Sequence, residues 1–84
     1  MNHEQVQLVR QKLGTLGEEL VRLEAKRDAI VERRGKATTP EERHMCAREA
    51  GAVFPEISRV RGRIGHARRL LAHSQGDEYQ AGGA

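Results

Sequence analysis

The sequence predicts an all-α protein: an antiparallel two-helix hairpin of the coiled-coil type, with a kink at Pro55. Two observations support this fold class. Apolar residues recur at alternating steps of three and four from Val6 to Ile30, and again from Cys46 to Leu71, which is the heptad pattern of two long helices with narrow apolar stripes. The short connection between them makes neighbouring helices antiparallel. One helix cannot bury such a stripe alone, so the chain must fold back on itself, pair with another copy or bind a partner helix.

The first helix is expected over about residues 3–34. Gly35 follows it and suits a helix C-cap, because glycine adopts the left-handed conformation that often ends a helix. Arg33 and Arg34 stand in the last turn, where cations interact favourably with the negative end of the helix dipole.

The second helix is expected over about 40–74. Thr39 is a good N-cap and Pro40 suits the first helical position. Pro55 lies inside the helix, and an interior proline removes one hydrogen bond and kinks the helix. The heptad step continues in phase across Pro55, so we expect one kinked helix. A break at 53–55, which would give three helices, is the alternative.

The chain is a single domain by its length of 84 residues. We expect residues 1–75 to form the hairpin and the glycine-rich residues 76–84 to form a disordered tail. A chain this short with almost no aromatic residues has little material for a core, which favours self-association. A single cysteine and the lack of a long apolar run predict a cytoplasmic protein that is not membrane-bound.

The heptad register divides the surface of the hairpin. With Val6 at position a, the a and d positions form the seam between the helices, and the fold-back pairs Leu16 with Val60 and Leu23 with Val53. Positions b and e form one flank and positions c and g form the other, which we name the charged face. The b and e flank, named the glycine-rich face, includes Gly14, Gly17, Val21, Val31, Phe54 and Gly65.

Glycines on a helix surface are useful where another backbone comes close, although each costs about 0.5–1 kcal/mol relative to alanine. We therefore expect the glycine-rich face to pack against a second hairpin or a partner, with a homodimeric four-helix bundle as the result. The alternative interpretation is that these glycines face solvent and are merely tolerated there.

Several basic residues gather toward the open end of the hairpin. Residues 57–74 contain no acid, and the fold-back brings further cations from the first helix beside them. This basic patch consists of Arg10, Lys12, Arg61, Arg63 and Arg68. Such a patch can bind the phosphate backbone of a nucleic acid, which is the second function that we consider. No aromatic stacking residues accompany it, so a docking patch for an acidic protein is equally consistent.

Arg27 occupies an a position in an otherwise apolar part of the seam. A charged residue there weakens a coiled coil and often selects its register or partner. It is expected to reach solvent near the hairpin tip or to pair with Glu24 or Glu49. The alternative is that Arg27 forms an anion site within the helical core.

The first helix also carries the segments RQKL (10–13), EEL (18–20), AKR (25–27) and GKA (35–37). In this pattern it resembles helix 1 of the small all-helical chorismate mutases. The resemblance implies that Arg10 and Arg27 bind substrate carboxylates, with a lysine beyond the helix at the ether oxygen. Thr38 stands at that lysine's position, with Lys36 nearby, and the family's third-helix glutamine has no counterpart in 56–74. A mutase-like enzyme is therefore the third function considered.

The remaining reactive residues indicate no cofactor. His66 and His73 lie one heptad apart and His44 lies close to Cys46, and neither spacing is typical of a metal site. Cys46 belongs to the seam, where a thiol acts as a small apolar group. We therefore expect a non-enzymatic hairpin that forms a homodimer and binds another protein.

Overall fold

The protein is an antiparallel hairpin of two α-helices, α1 (His3–Lys36) and α2 (Pro40–Gly83). This computed structural model describes the backbone of residues 2–83 and the side chains of residues 2–74, and no strand occurs in that part of the chain. The molecule is a rod of 67 × 17 × 15 Å with a radius of gyration of 19.1 Å, whereas a chain of this length folded into a sphere-like shape would have about 12 Å. Almost every residue is therefore close to the surface.

A capping box begins α1. The Asn2 side chain accepts a hydrogen bond of 2.9 Å from the backbone N–H of Gln5, and the Gln5 side chain accepts one of 3.0 Å from the backbone N–H of Asn2. These bonds satisfy donors that the first helical turn leaves without partners. The Asn-x-x-Gln spacing was a sequence signal for this helix start that the heptad analysis did not use.

The predicted C-cap at Gly35 is wrong. The helix includes Gly35 and ends at Lys36, and no described glycine has a positive φ. Lys36 forms an ion pair of 3.1 Å with Glu32 on the same helix face. Ala37 then leaves the helix in an extended conformation and donates its N–H to the Arg34 carbonyl at 3.3 Å. The chain therefore ends α1 without a left-handed residue.

The predicted start of α2 is confirmed. The side-chain oxygen of Thr39 accepts a hydrogen bond of 3.2 Å from the backbone N–H of Glu42. The Thr39 carbonyl accepts a second hydrogen bond, also of 3.2 Å, from the backbone N–H of Arg43. The Glu42 carboxylate accepts a bond of 3.3 Å from the backbone N–H of Thr38. These contacts hold Thr38 and Thr39, the two residues before α2, against the first turn of that helix.

Pro55 lies inside one continuous α2, so the alternative of three helices is wrong. Val53 and Ile57, on either side of the proline, are each only 2% exposed. The seam keeps the same helical phase on both sides, which holds the helix together despite the missing bond. The helix continues to Gly83, so the predicted helix end near 74 and the predicted disordered tail over 76–84 are wrong for the described backbone, which reaches residue 83.

The core is a single row of side chains along the seam. Every buried apolar residue among the described side chains occupies an a or d position: Leu16, Ile30, Cys46, Ala50, Val53, Ile57, Val60, Ile64 and Ala67. Most of these lie on α2. On α1, Leu13, Leu20 and Leu23 pack against the row but remain partly exposed. One hairpin thus covers the α2 stripe better than the α1 stripe.

The glycines of the glycine-rich face are not required by packing within the hairpin. A Cβ atom added at Gly14, Gly17 or Gly51 would meet nothing within 4 Å, and at Gly65 it would meet only the Arg69 guanidinium at 3.5 Å. Gly62 has the same open surroundings but lies at position f, outside the glycine-rich face.

We expect Gly17→Ala and Gly51→Ala each to raise the free energy of unfolding by about 0.5–1 kcal/mol, because alanine has the higher helix propensity. Thermal unfolding followed by circular dichroism measures this, with Gly62→Ala as the matched control. Stabilisation at Gly62 together with destabilisation at Gly17 and Gly51 would show that another chain covers the glycine-rich face in solution.

Candidate interaction surfaces

A groove with an apolar floor and a cationic rim lies between the helices at the open end of the hairpin. Its volume is about 690 Å³, within the range of ligand and peptide grooves. The floor consists of Val9, Leu16, Ala67 and Leu70, and Gly62 completes the lining. The rim consists of Lys12, Arg59, Arg63 and His66. Among the described side chains, none that lines this groove is a carboxylate, so the groove suits an occupant that is apolar at its centre and acidic at its edges.

Two smaller grooves follow on the same charged face. The middle groove, of about 290 Å³, lies around Ala52, Pro55 and Glu56. The groove at the tip, of about 370 Å³, includes the exposed Met45 and the wall formed by buried Cys46. An ion pair between Arg33 of α1 and Glu49 of α2 crosses the tip groove. The charged face therefore changes from acidic and mixed near the tip to cationic at the open end.

The glycine-rich face exposes large apolar side chains in addition to its glycines. Val21 is 67% exposed, Val31 53% and Phe54 49%. The charged face also exposes large apolar side chains, at Leu8, Met45 and Leu70, so neither flank is distinguished by exposed apolar residues alone. The structure thus places the predicted residues on one flank, and what covers them stays a prediction.

The basic patch is divided between the two flanks. Arg10, Arg61 and Arg68 occupy e positions, and Lys12 and Arg63 occupy g positions on the opposite side of the seam. In addition, Arg61 forms an ion pair of 3.5 Å with Glu24 of α1. The open end is cationic, but these five side chains do not make one continuous track for a phosphate backbone.

Arg27 is compensated within the hairpin. Its guanidinium lies 3.2 Å from a carboxylate oxygen of Asp28 and 3.8 Å from one of Glu24, and its side chain is 25% exposed. The expected pairing with Glu24 is confirmed. An anion bound at Arg27 would have to displace these carboxylates. Arg10 lies 17 positions earlier on the same straight helix, about 26 Å away along its axis, so one chain cannot place both arginines on one small diacid.

Comparison of the chain with protein-family models, curated proteins and solved structures finds no match. Among the residues that the structure describes, no cluster of three or more metal-ligating side chains occurs. Within the same part of the chain, neither helix has a stretch long and apolar enough to cross a membrane. The functional argument therefore depends on the two faces of the hairpin themselves.

Proposed function

We propose that this protein is a non-enzymatic helical-hairpin module that works by forming a homodimer and by docking on another protein. The observation that carries the proposal is the distribution of apolar side chains. The core is one row deep, and the α1 half of it stays partly exposed at Leu13, Leu20 and Leu23. A second chain, either another hairpin or a partner protein, would bury this surface, and about 25 cal/mol is gained per Å² of apolar area removed from water.

Two faces are available for these contacts. The charged face has the grooves and both signs of charge, and the glycine-rich face has Val21, Val31 and Phe54 on its surface. We assign the glycine-rich face to a partner protein, because close approach of a foreign helix needs small residues such as Gly14 and Gly17. The second copy, which the sequence pattern led us to expect on the glycine-rich face, is assigned to the charged face, because the order of charges along α2 is self-complementary there.

The proposal is tested by the mass of the protein in solution. Light scattering coupled to size exclusion should give twice the chain mass of 9.4 kDa at micromolar concentration. Elution volume alone is not sufficient, because a rod elutes earlier than a sphere of equal mass. A monomer mass at every concentration up to 100 micromolar, about the highest that such modules need, would contradict self-association.

The partner face is tested in a pull-down from the host with Gly17→Glu as bait. We expect this variant to keep its helix content and its dimer mass but to lose the proteins that the wild type captures. Ala25→Glu is the matched control, since it places the same charge at a small exposed residue at an f position of α1, outside both faces. Equal capture by both variants would exclude the glycine-rich face as the partner surface.

A further inference from the structure

We propose that a second copy of this chain docks on the charged face with the two α2 helices antiparallel, related by a two-fold axis between residues 56 and 59. This inference depends on the self-association proposed above and states where it takes place. It is carried by the order of charges along one edge of α2 and by the apolar residues between them.

The c and g edge of α2 is acidic in its first half and basic in its second half. Toward the tip the edge carries Glu42, Glu49 and Glu56, and toward the open end it carries Arg59 and Arg63. A parallel copy would place like charges opposite each other. An antiparallel copy places each half against its opposite, and because the two copies are identical, every such contact occurs twice.

In one register, opposite charges face each other next to the axis and exposed apolar side chains face each other farther from it, while Arg63 faces the small Ala52. With the axis between residues 56 and 59, these residues of the first copy face those of the second: Glu56 faces Arg59, Ala52 faces Arg63, Glu49 faces His66, and Met45 faces Leu70. Ala52 is small, which leaves room for the long side chain opposite. Met45 is 61% exposed and Leu70 is 39% exposed in the single hairpin, so this contact would cover both.

The groove at the open end fits the segment that this register brings to it. Met45 of the second copy would lie toward the apolar floor, near Leu70 and Leu16, and Glu49 of the second copy would lie toward the rim at Lys12 and His66. Within residues 2–74, whose side chains the structure describes, the rim has no carboxylate that would repel these acids. A partner protein with an acidic amphipathic helix has similar chemistry, but the complementary helix is already present in this chain.

The glycine-rich face offers no comparable match between copies. Its acidic residues Glu24 and Asp28 already bond to Arg27 and Arg61 within the hairpin. Cations of a second copy would therefore compete with bonds that each chain has made. On the charged face Glu49 is likewise paired, with Arg33, but no described ion pair involves Glu56, Arg59 or Arg63, which lie nearest to the two-fold axis.

The closing experiment exchanges the charges next to the two-fold axis. Glu56→Lys sets two pairs of cations against each other in the homodimer, and Arg59→Glu sets two pairs of carboxylates against each other. We expect each variant alone to dimerise at least about tenfold more weakly than the wild type, as two like-charge pairs replace two attractive ones. An equimolar mixture of the two should form a 1:1 heterodimer, and the double variant E56K/R59E should regain the wild-type dimer.

Light scattering gives these masses, and circular dichroism confirms that each variant keeps its helices. Glu18→Lys and Arg48→Glu make the same charge changes at f positions outside the edge and should dimerise like the wild type. A second pair of variants compares the two faces directly: Met45→Ser should weaken the dimer, and Val31→Ser on the glycine-rich face should not.

Two results would overturn the antiparallel α2 contact while the wild type remains a dimer. In the first, E56K and R59E also stay dimeric. In the second, V31S dissociates and M45S does not, and self-association would then use another face. A wild type that is monomeric throughout would overturn both. A mixture of E56K and R59E that stays monomeric while each single variant dissociates would likewise reject this register.

Discussion

Replacing Ile57 with alanine is expected to lower the free energy of unfolding by about 3 kcal/mol, within the range for buried isoleucine truncations. Ile57 is 2% exposed and packs in the same cluster as Ile30, Ala50 and Val53. The rod has no second layer of side chains that could move into the cavity. Since small domains are stabilised by only about 5–15 kcal/mol, the variant should lose a large share of its stability and unfold at much lower urea concentration.

Two controls separate this effect from a change in helix propensity. Ile57→Val should cost about 1 kcal/mol, because it removes one methyl group. Leu8→Ala should change stability by no more than about 0.5 kcal/mol, since Leu8 is 64% exposed. If Ile57→Ala were as mild as Leu8→Ala, the seam would not be the core of the protein in solution.

Replacing Pro55 with alanine is expected to raise the free energy of unfolding by about 2–3 kcal/mol. A proline inside a helix removes one backbone hydrogen bond and crowds the preceding turn, and alanine removes both penalties. Pro55 is exposed, and α2 is continuous on both sides of it, so the change deletes no core contact. Urea unfolding monitored by circular dichroism should show a higher midpoint.

Pro40→Ala is the matched control for this variant. Pro40 is the first residue of α2, where the N–H has no helical partner in any case and the proline ring favours the helical φ. We expect its stability to remain within about 0.5 kcal/mol of the wild type. A less stable Pro55→Ala protein would mean that α2 needs the bend imposed by the proline in order to follow α1.

The seam could be predicted from the sequence because helix geometry leaves little choice. Residues three and four positions apart share one helix face, so the heptad step alone selects the side chains that become buried. Leu16, Val60 and Ile64 accordingly lie in one cluster, and Ile30 lies with Cys46 and Val53 in the other. The start of α2 at Thr39 was predictable for the same kind of reason, since the cap is a local hydrogen bond.

The end of α1 could not be predicted as reliably, because it depends on competition between local alternatives. Gly35 can end a helix, but the helical conformation was retained through Lys36, where the ion pair with Glu32 lies on the helix surface. Glycine permits the left-handed conformation that ends many helices, but it does not require it. The energy of the neighbouring helical turn decides whether the helix ends there.

The sequence by itself determined that the chain is a helical hairpin and which residues form its single-row core, because periodicity is a property of one helix at a time. Only the tertiary structure decided which charged side chains pair across the two helices. Long charged side chains reach several neighbours, so the pairing of Arg61 with Glu24 and of Arg33 with Glu49 follows from distances between the helices. The open-end groove arises in the same way, from side chains of α1 and α2 that meet only after the chain has folded back.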